Sequence, residues 1–131
     1  MNLHGIKVNR MEPITNLKDL LVEQLRELYD AELQQKELRN LLHEKASSIS
    51  LRESIEAHSD LNEIQIRRIN RVFDAINVAT FGEHSDAMEG LITEARKLIN
   101  RCSDPEVCDA TIITAAQYIE HFEIAAGLVA A

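Results

Sequence analysis

Three glutamates in this chain occupy positions where the helical spacing is otherwise apolar. They are Glu32, Glu89 and Glu120. Glu120 has Ala116 four residues before it and Ile124 four residues after it, so its carboxylate shares a helical stripe with apolar neighbours. A buried carboxylate must be protonated, paired or bound to a metal, because desolvating it alone is very costly. Carboxylates on facing helices are also the ligands that hold two iron or manganese ions in a bundle core.

Four helices are predicted to carry these glutamates. The chain has four Gly, two Pro and no Trp, and its apolar periodicity and capping residues predict helices over about 16–45, 50–78, 86–101 and 104–131. Asn16 is the expected cap of the first helix, and Ser50 with Glu53 forms a capping box for the second. We therefore expect one all-α domain, a four-helix bundle over residues 13–131, preceded by an arm, residues 1–12, without an assigned function.

The connection between the second and third helices decides whether the glutamates meet. At ~1.5 Å rise per residue, Glu32 lies level with residues 61–65 of the second helix. If the linker at 79–85 doubles back, its reach of about 23 Å brings Glu89 to that level. A third helix that descends and a fourth that climbs then bring Glu120 there as well. In a plain up-down-up-down bundle, Glu89 and Glu120 would instead be neighbours near one end, away from Glu32.

Composition and charge argue against several classes of function. The net charge is −8, with 22 acidic and 14 basic side chains, which opposes binding to nucleic acid. No apolar run reaches the ~18 residues of a membrane span, so no membrane partner is expected. Cys102 and Cys108 lack the spacing of a metal knuckle or a redox pair and, with no secretory signal, favour ordinary thiols in the cytoplasm. No nucleophile elbow or phosphate loop supports a hydrolase or a nucleotide-dependent enzyme.

Three sequence strings carry a resemblance to a known family: LYDAELQ at 28–34, DAMEGLITEA at 86–95 and AAQYIEHFEIAA at 115–126. From about Asn16 to Ala126 the chain resembles the YciE/YciF-like family of ferritin-like proteins, a bacterial stress-associated domain of undefined biochemical role. The resemblance implies a ferritin-like four-helix bundle with a crossover between helices two and three. It also implies a homodimer and a candidate site for two iron or manganese ions in the bundle core.

The resemblance also implies which residues would hold metal, and His58 is added as a weaker ligand. The set is Glu32, Glu89, Glu120, Glu123, His121 and His58. One segment departs from the family pattern, because HSDLNEIQ at 58–65 stands where the family resembles HLEETxGQ. Leu61 then replaces an expected metal-facing Glu, and Asn62 replaces a Thr. Such a site would bind one ion instead of two, bind none, or keep its glutamates protonated as a hydrogen-bonded polar layer.

The end of the sequence raises a separate expectation. Chains that resemble this one usually continue into a further helix after the fourth, whereas this sequence ends at Ala131 in the apolar run GLVAA. Leu128 and Val129 would then lie uncovered on the surface. We therefore expect either a truncated chain or a partner subunit that covers these residues.

Three functional hypotheses follow, and they belong to different classes. The first is a metal-binding ferritin-like protein of the stress response, whose carboxylate layer holds iron or manganese. The second is a metal-free helical module that keeps the fold and serves dimerisation or partner binding. The third is a di-iron oxidase or peroxidase-like enzyme, which needs open coordination positions, and Leu61 favours the second hypothesis over it. We rank the metal-binding protein slightly ahead of the interaction module, and both ahead of an enzyme.

Overall fold

The computed structural model describes residues 12–130, with side chains described as far as Gly127. Within that range the chain forms four helices and no strand: α1 (Leu17–Lys45), α2 (Ile49–Ala75), α3 (Asp86–Asn100) and α4 (Pro105–Ala130). The expected all-α four-helix bundle is confirmed. The predicted N-terminal arm falls almost wholly outside the described residues, as do the side chains of Leu128 and Val129. No described helix is long and apolar enough to cross a lipid bilayer.

The helix starts are set by short polar side chains. Asn16 caps α1 as predicted, since its side-chain oxygen accepts a hydrogen bond of 2.8 Å from the backbone N–H of Asp19. The cap of α2 is Ser48, whose hydroxyl accepts from the N–H of Leu51, so the prediction of Ser50 is wrong by two residues. A cap needs extended backbone, and Ser48 has φ −76° and ψ 132°, whereas Ser50 is already helical.

The linker after α2 doubles back along α1. The N–H of Glu83 donates to the carbonyl of Arg26 at 3.1 Å, and the N–H of Ser85 donates to the Asp30 carboxylate at 2.8 Å. Gly82 lies so close to α1 that a Cβ there would be 3.1 Å from Cβ of Asp30. As a result, α3 begins halfway along α1.

The directions of α3 and α4 differ from the expectation that the third helix descends and the fourth climbs. Arg96 of α3 lies 3.9 Å from Glu37 of α1, further along both helices than the linker contact, so α3 runs parallel to α1. The Asp109 carboxylate accepts hydrogen bonds from Ser47 and Ser48 in the α1–α2 turn, so α4 starts there and descends. The linker has already climbed half the bundle, and the 15 residues of α3 span about 22 Å, which carries the chain from there to the level of the α1–α2 turn.

The main core lies between α1, α3 and α4, while α2 packs mainly against α1. The buried side chains of this core include Ala31, Leu38, Leu42, Met88, Ile92, Ala95, Ile99, Ile112, Ala115 and Ile119. A second cluster joins Leu25 of α1 to Ile69 and Phe73 of α2. In the described part of the chain, α2 and α4 are therefore separated by an open seam whose floor is α1.

Replacing Phe73 by Ala tests the second cluster. The Phe73 ring is fully buried and meets the Tyr29 ring edge to face, with centroids 6.2 Å apart. We expect Phe73→Ala to lower the free energy of unfolding by about 3–5 kcal/mol, because the cavity cannot close fully. The control Val72→Ala, on the exposed side of the same turn, should cost less than about 1 kcal/mol. Urea unfolding followed by circular dichroism measures both, and equal losses would contradict this packing.

Candidate metal centre

Among the sequence-predicted ligands, Glu32 alone is fully buried, with 2% of its surface exposed. Its Oε1 accepts a hydrogen bond of 2.6 Å from the side-chain amide of Asn62 on α2. The same amide also donates to the backbone carbonyl of Glu32 at 3.1 Å. Its Oε2 accepts from the side-chain amide of Gln35, one turn further along α1, at 3.3 Å. Both carboxylate oxygens of Glu32 are thus engaged by amide N–H donors.

Gln35 joins Glu32 to Glu123 of α4. Its Nε2 donates to one oxygen of each carboxylate, at 3.3 Å in both cases. Its Oε1 accepts a hydrogen bond of 2.5 Å from Nη2 of Arg39, and this contact fixes the orientation of the amide. The Arg39 guanidinium also interacts electrostatically with both carboxylates. We call this set the polar layer; it crosses the bundle from α2 through α1 to α4 and consists of Glu32, Gln35, Arg39, Asn62 and Glu123.

The surroundings of Glu32 hold a proton on it at neutral pH. Burial is the largest effect on its pKa, followed by a hydrogen bond and charge repulsion from Glu123, and together they raise the pKa from 4.5 to about 8. The hydrogen bond from Asn62 and the charge of Arg39 act in the opposite direction and are weaker. A protonated Glu32 donates toward Glu123, so one proton serves the two carboxyl groups.

On α2 the inward position belongs to Asn62 and not to Leu61. Leu61 is 55% exposed, so the expectation that this position faces a metal is wrong, and a Glu at this position would not have been a core ligand. Asn62 lies one residue, about 100°, further round the helix, where it is buried and bonds Glu32. The contribution of α2 to the polar layer is therefore a neutral amide.

Glu120 is exposed, and the expectation that it lies on a buried stripe of the fourth helix is wrong. The buried stripe of α4 is one residue away, at Ile119. Because α4 is rich in Ile and Ala on both stripes, the sequence alone does not separate them. Glu120 lines the seam from α4 and His58 lines it from α2, both at exposed positions. Glu123 lies deeper in the seam and is half-buried, which brings it to the polar layer.

Glu89 and His121 are exposed and do not join the polar layer, contrary to the expectation for Glu89. The buried stripe of α3 passes through Met88, and Glu89 lies beside it on the outside of the bundle. Oε1 of Glu89 is 2.8 Å from Nε2 of His84, and with Asp86 these side chains form an exposed group at the start of α3. The positive end of the helix dipole favours acidic side chains at this place without any ion.

The residues of the polar layer do not fit a centre for two metal ions. Such a centre takes a Glu from each of two helices and a Glu-x-x-His motif from each of the other two. Here the residue three positions after Glu32 is Gln35, α2 supplies Asn62, and the Glu89 of α3 is outside. Two carboxylates remain, those of Glu32 and Glu123, and an amide N–H group occupies the space between them where ligand oxygens or imidazoles would be needed.

Sequence reasoning identified Glu32 but missed the amides and the guanidinium around it. A signal existed for each of them. Gln35 and Arg39 lie three and seven residues after Glu32, which is the spacing of one helical stripe. Asn62 lies seven residues after the buried Ile55, so helical spacing alone also places it inward. A search restricted to carboxylates and histidines passes over such residues.

The proton on Glu32 should make the free energy of unfolding fall as the pH rises from about 5 to about 8. The folded protein binds this proton with a pKa of about 8, whereas the unfolded chain releases it near 4.5. Its stabilising effect is complete below 4.5 and is lost as the pH passes 8. Because one proton is involved, the free energy of unfolding should fall by at most about 1.4 kcal/mol per pH unit.

Glu32→Gln should remove this slope, because the amide keeps a donor toward Glu123 but does not titrate. Glu37→Gln, at an exposed glutamate of the same helix, should keep it. Urea unfolding of the three proteins across this pH range measures the slopes. The same slope in Glu32→Gln as in the unmodified chain would show that Glu32 does not carry the proton.

The chain matches a known family over most of its length. Residues 16–128 match the model described as Domain of unknown function (DUF892). Protein YciF of Escherichia coli (strain K12) is 36% identical over 110 residues, which make up 83% of this chain and 66% of that protein. The chain thus spans just under two-thirds of the length of this relative.

Two solved structures share the fold. YcfI from Rhodopseudomonas palustris matches with a TM-score of 0.87 and 32% identity, over 91% of this chain and 76% of that one. The E. coli stress protein YciF matches with a TM-score of 0.82 and 34% identity, over 88% of this chain and 74% of that one. These findings confirm the resemblance that the sequence strings indicated. The chain belongs to the DUF892 family of YciF-like helical proteins.

Proposed function

We propose that this domain is a metal-free helical interaction module that pairs with a second copy of itself through the seam between α2 and α4. The observation that carries the proposal is the group of exposed apolar side chains beside this seam, Ile113 and Ile124 on α4 and Leu61 on α2. The polar layer supports it, because a proton, amide groups and a guanidinium neutralise and bond its carboxylates without an ion. A stress-associated role in the cytoplasm is part of the proposal, in line with the stress protein YciF to which the chain is similar.

The groove along the seam is narrow and open to solvent. Its floor and walls include Leu38, Leu42, Ile55 and Ile119, which are already buried in the single chain, and its exposed rim includes His58, Ala116 and Glu120. A helix with one apolar stripe is the kind of structure that packs along the rim of such a seam.

The stripe of α4 that borders the groove supplies such a helix in the second copy. Ile113, Ala116, Glu120 and Ile124 follow one another at helical spacing, and all four are exposed. Across the seam, Leu61 on α2 extends the exposed apolar surface at the level of the polar layer. Large apolar side chains grouped in this way typically mark an interaction surface.

The charges along the groove also suit pairing with an identical surface. Arg39 lines the groove and is half-buried, with its Nη2 bonded to Gln35. Glu120 offers an exposed carboxylate on the neighbouring stripe. A two-fold pair brings each patch against its own copy, so the acid of one chain meets the guanidinium of the other.

A site for a single metal ion is the second candidate. In its favour, the carboxylates of Glu32 and Glu123 already converge on one point, the Nε2 of Gln35, at 3.3 Å each. An iron or manganese ion there would have to displace this amide, which Arg39 holds in place, and the proton of Glu32. We therefore rank it second. We propose no oxidase or peroxidase activity, because the donor set provides for no second metal.

Ile113→Glu and Ile124→Glu test the self-association. Each places a charge within the proposed interface at a position exposed in the single chain, so the fold should be retained. We expect the unmodified chain to sediment as a dimer and each variant to raise the Kd at least about tenfold. Ile14→Glu, an equally exposed Ile before α1, should leave the Kd unchanged. A monomer at every concentration, or variants that match this control, would count against the pairing surface.

Metal content separates the two candidates. After anaerobic reconstitution with ferrous iron or manganese, we expect plasma mass spectrometry to find far less than one ion per unmodified chain. The double variant Gln35→His/Asn62→Glu restores a Glu-x-x-His motif and an inward carboxylate, so it should gain binding. Leu61→Glu, at the exposed neighbour, should not. Near-stoichiometric metal in the unmodified chain that is lost in Glu32→Gln would replace the proposal by the single-ion site.

A further inference from the structure

Two cysteine thiols meet where α3 turns into α4. Cys102 lies in this turn, and Cys108 lies at the end of the first turn of α4. Sγ of Cys102 is 3.2 Å from the carbonyl oxygen of Leu98 and 3.1 Å from Oγ1 of Thr111. Thr111 follows Cys108 by three residues and therefore shares its face of α4. The Cys102 sulfur thus covers the face from which Cys108 projects, and the two thiols lie within hydrogen-bonding reach.

The two thiols differ in their access to solvent. Cys108 is 8% exposed, whereas Cys102 is half-buried. Burial, followed by the neighbouring Cys102, raises the pKa of the Cys108 thiol. A reagent from solvent therefore meets Cys102 first, and Cys108 is shielded behind it as a thiol.

We propose that Cys102 and Cys108 form an intramolecular disulfide when the protein meets an oxidised small thiol such as glutathione disulfide. The Cys102 thiolate attacks one sulfur of glutathione disulfide, whose S–S bond breaks. The first glutathione leaves with the electron pair and takes up the proton that Cys102 lost. Cys108 then loses its proton and attacks the Cys102 sulfur, and the second glutathione leaves in the same way. Two protein thiols are oxidised, and one glutathione disulfide is reduced to two glutathiones.

The fold, and not the sequence spacing, creates this site. Five residues separate Cys102 from Cys108, so the pair does not have the spacing of a redox motif, and the sequence alone favours two ordinary thiols. The reversal of the chain between α3 and α4 brings the Cys102 sulfur against Thr111, on the face of α4 that Cys108 shares. The disulfide ties the end of α3 to the start of α4, at the end of the bundle where α4 meets the α1–α2 turn.

Treating the full chain with glutathione disulfide, quenching with iodoacetamide and measuring the mass tests the proposal. The unmodified chain should lose both free thiols and about 2 Da, the mass of two hydrogens. Cys108→Ser should stop with one glutathione on Cys102. Cys102→Ser should react far more slowly, because the thiol that remains is shielded.

Two further measurements keep the test decisive. Circular dichroism establishes that both variants are folded, with Cys108→Ala as the substitute if the Ser variant is not. The equilibrium with glutathione gives the effective concentration of one protein thiol at the other, which should be about tenfold or more higher in the folded chain than in urea. Four results would overturn the proposal. The unmodified chain could keep both thiols, stop at the glutathione adduct or form a disulfide with a second chain. The effective concentration of the thiols could also be the same in the folded chain as in urea.

Discussion

A carboxyl group in the middle of a helical bundle has to be neutralised and hydrogen-bonded, and the alignment of three helices here depends on how this is done for Glu32. Asn62 bonds both the side chain and the backbone carbonyl of Glu32, which sets α2 against α1. The side-chain amide of Gln35 donates to the Glu123 carboxylate, which sets α4 against α1. Leaving one such buried group unsatisfied costs about 1–3 kcal/mol, so a shifted register is penalised at this layer. The polar layer thus specifies the arrangement of the helices, while the apolar clusters on either side supply most of the stabilisation.

The same layer accounts for the open seam. Closing α2 onto α4 would bury Glu123, Glu120 and the Arg39 guanidinium more deeply, and the desolvation of these charges opposes that closure. Apolar residues on both sides then stay exposed, as Leu61 and Ile124 do. In our proposal, the second copy covers these apolar residues and at the same time pairs the charges. In this proposal, the layer that neutralises Glu32 without an ion is also the reason for the binding surface.

Helix existence and type followed from the sequence, because apolar spacing and caps such as Asn16 are local signals. A linker that doubles back along α1 was also anticipated, but the direction of α3 was not, since it depends on where the linker docks against α1. Glu32 was found because Leu25 and Leu28, seven and four residues before it, mark a stripe that the bundle buries at Leu25 and Glu32. Glu120 was misplaced because both stripes of α4 are apolar, and only the packing of α4 against α1 and α3 decides which is covered. The proximity of the two cysteines also depends on tertiary packing, so their spacing in the sequence does not predict it.

The ionisation of Glu32 is the property on which the metal-free account rests most directly. It can be followed by NMR through the side-chain carboxyl carbon of Glu32 in ¹³C-labelled protein, assigned with Glu32→Gln, as the pH is varied with and without Mn²⁺. We predict a midpoint near 8 that Mn²⁺ leaves unchanged. A midpoint near 4.5, or loss of this signal by paramagnetic broadening at one equivalent of Mn²⁺, would contradict the proton-holding polar layer.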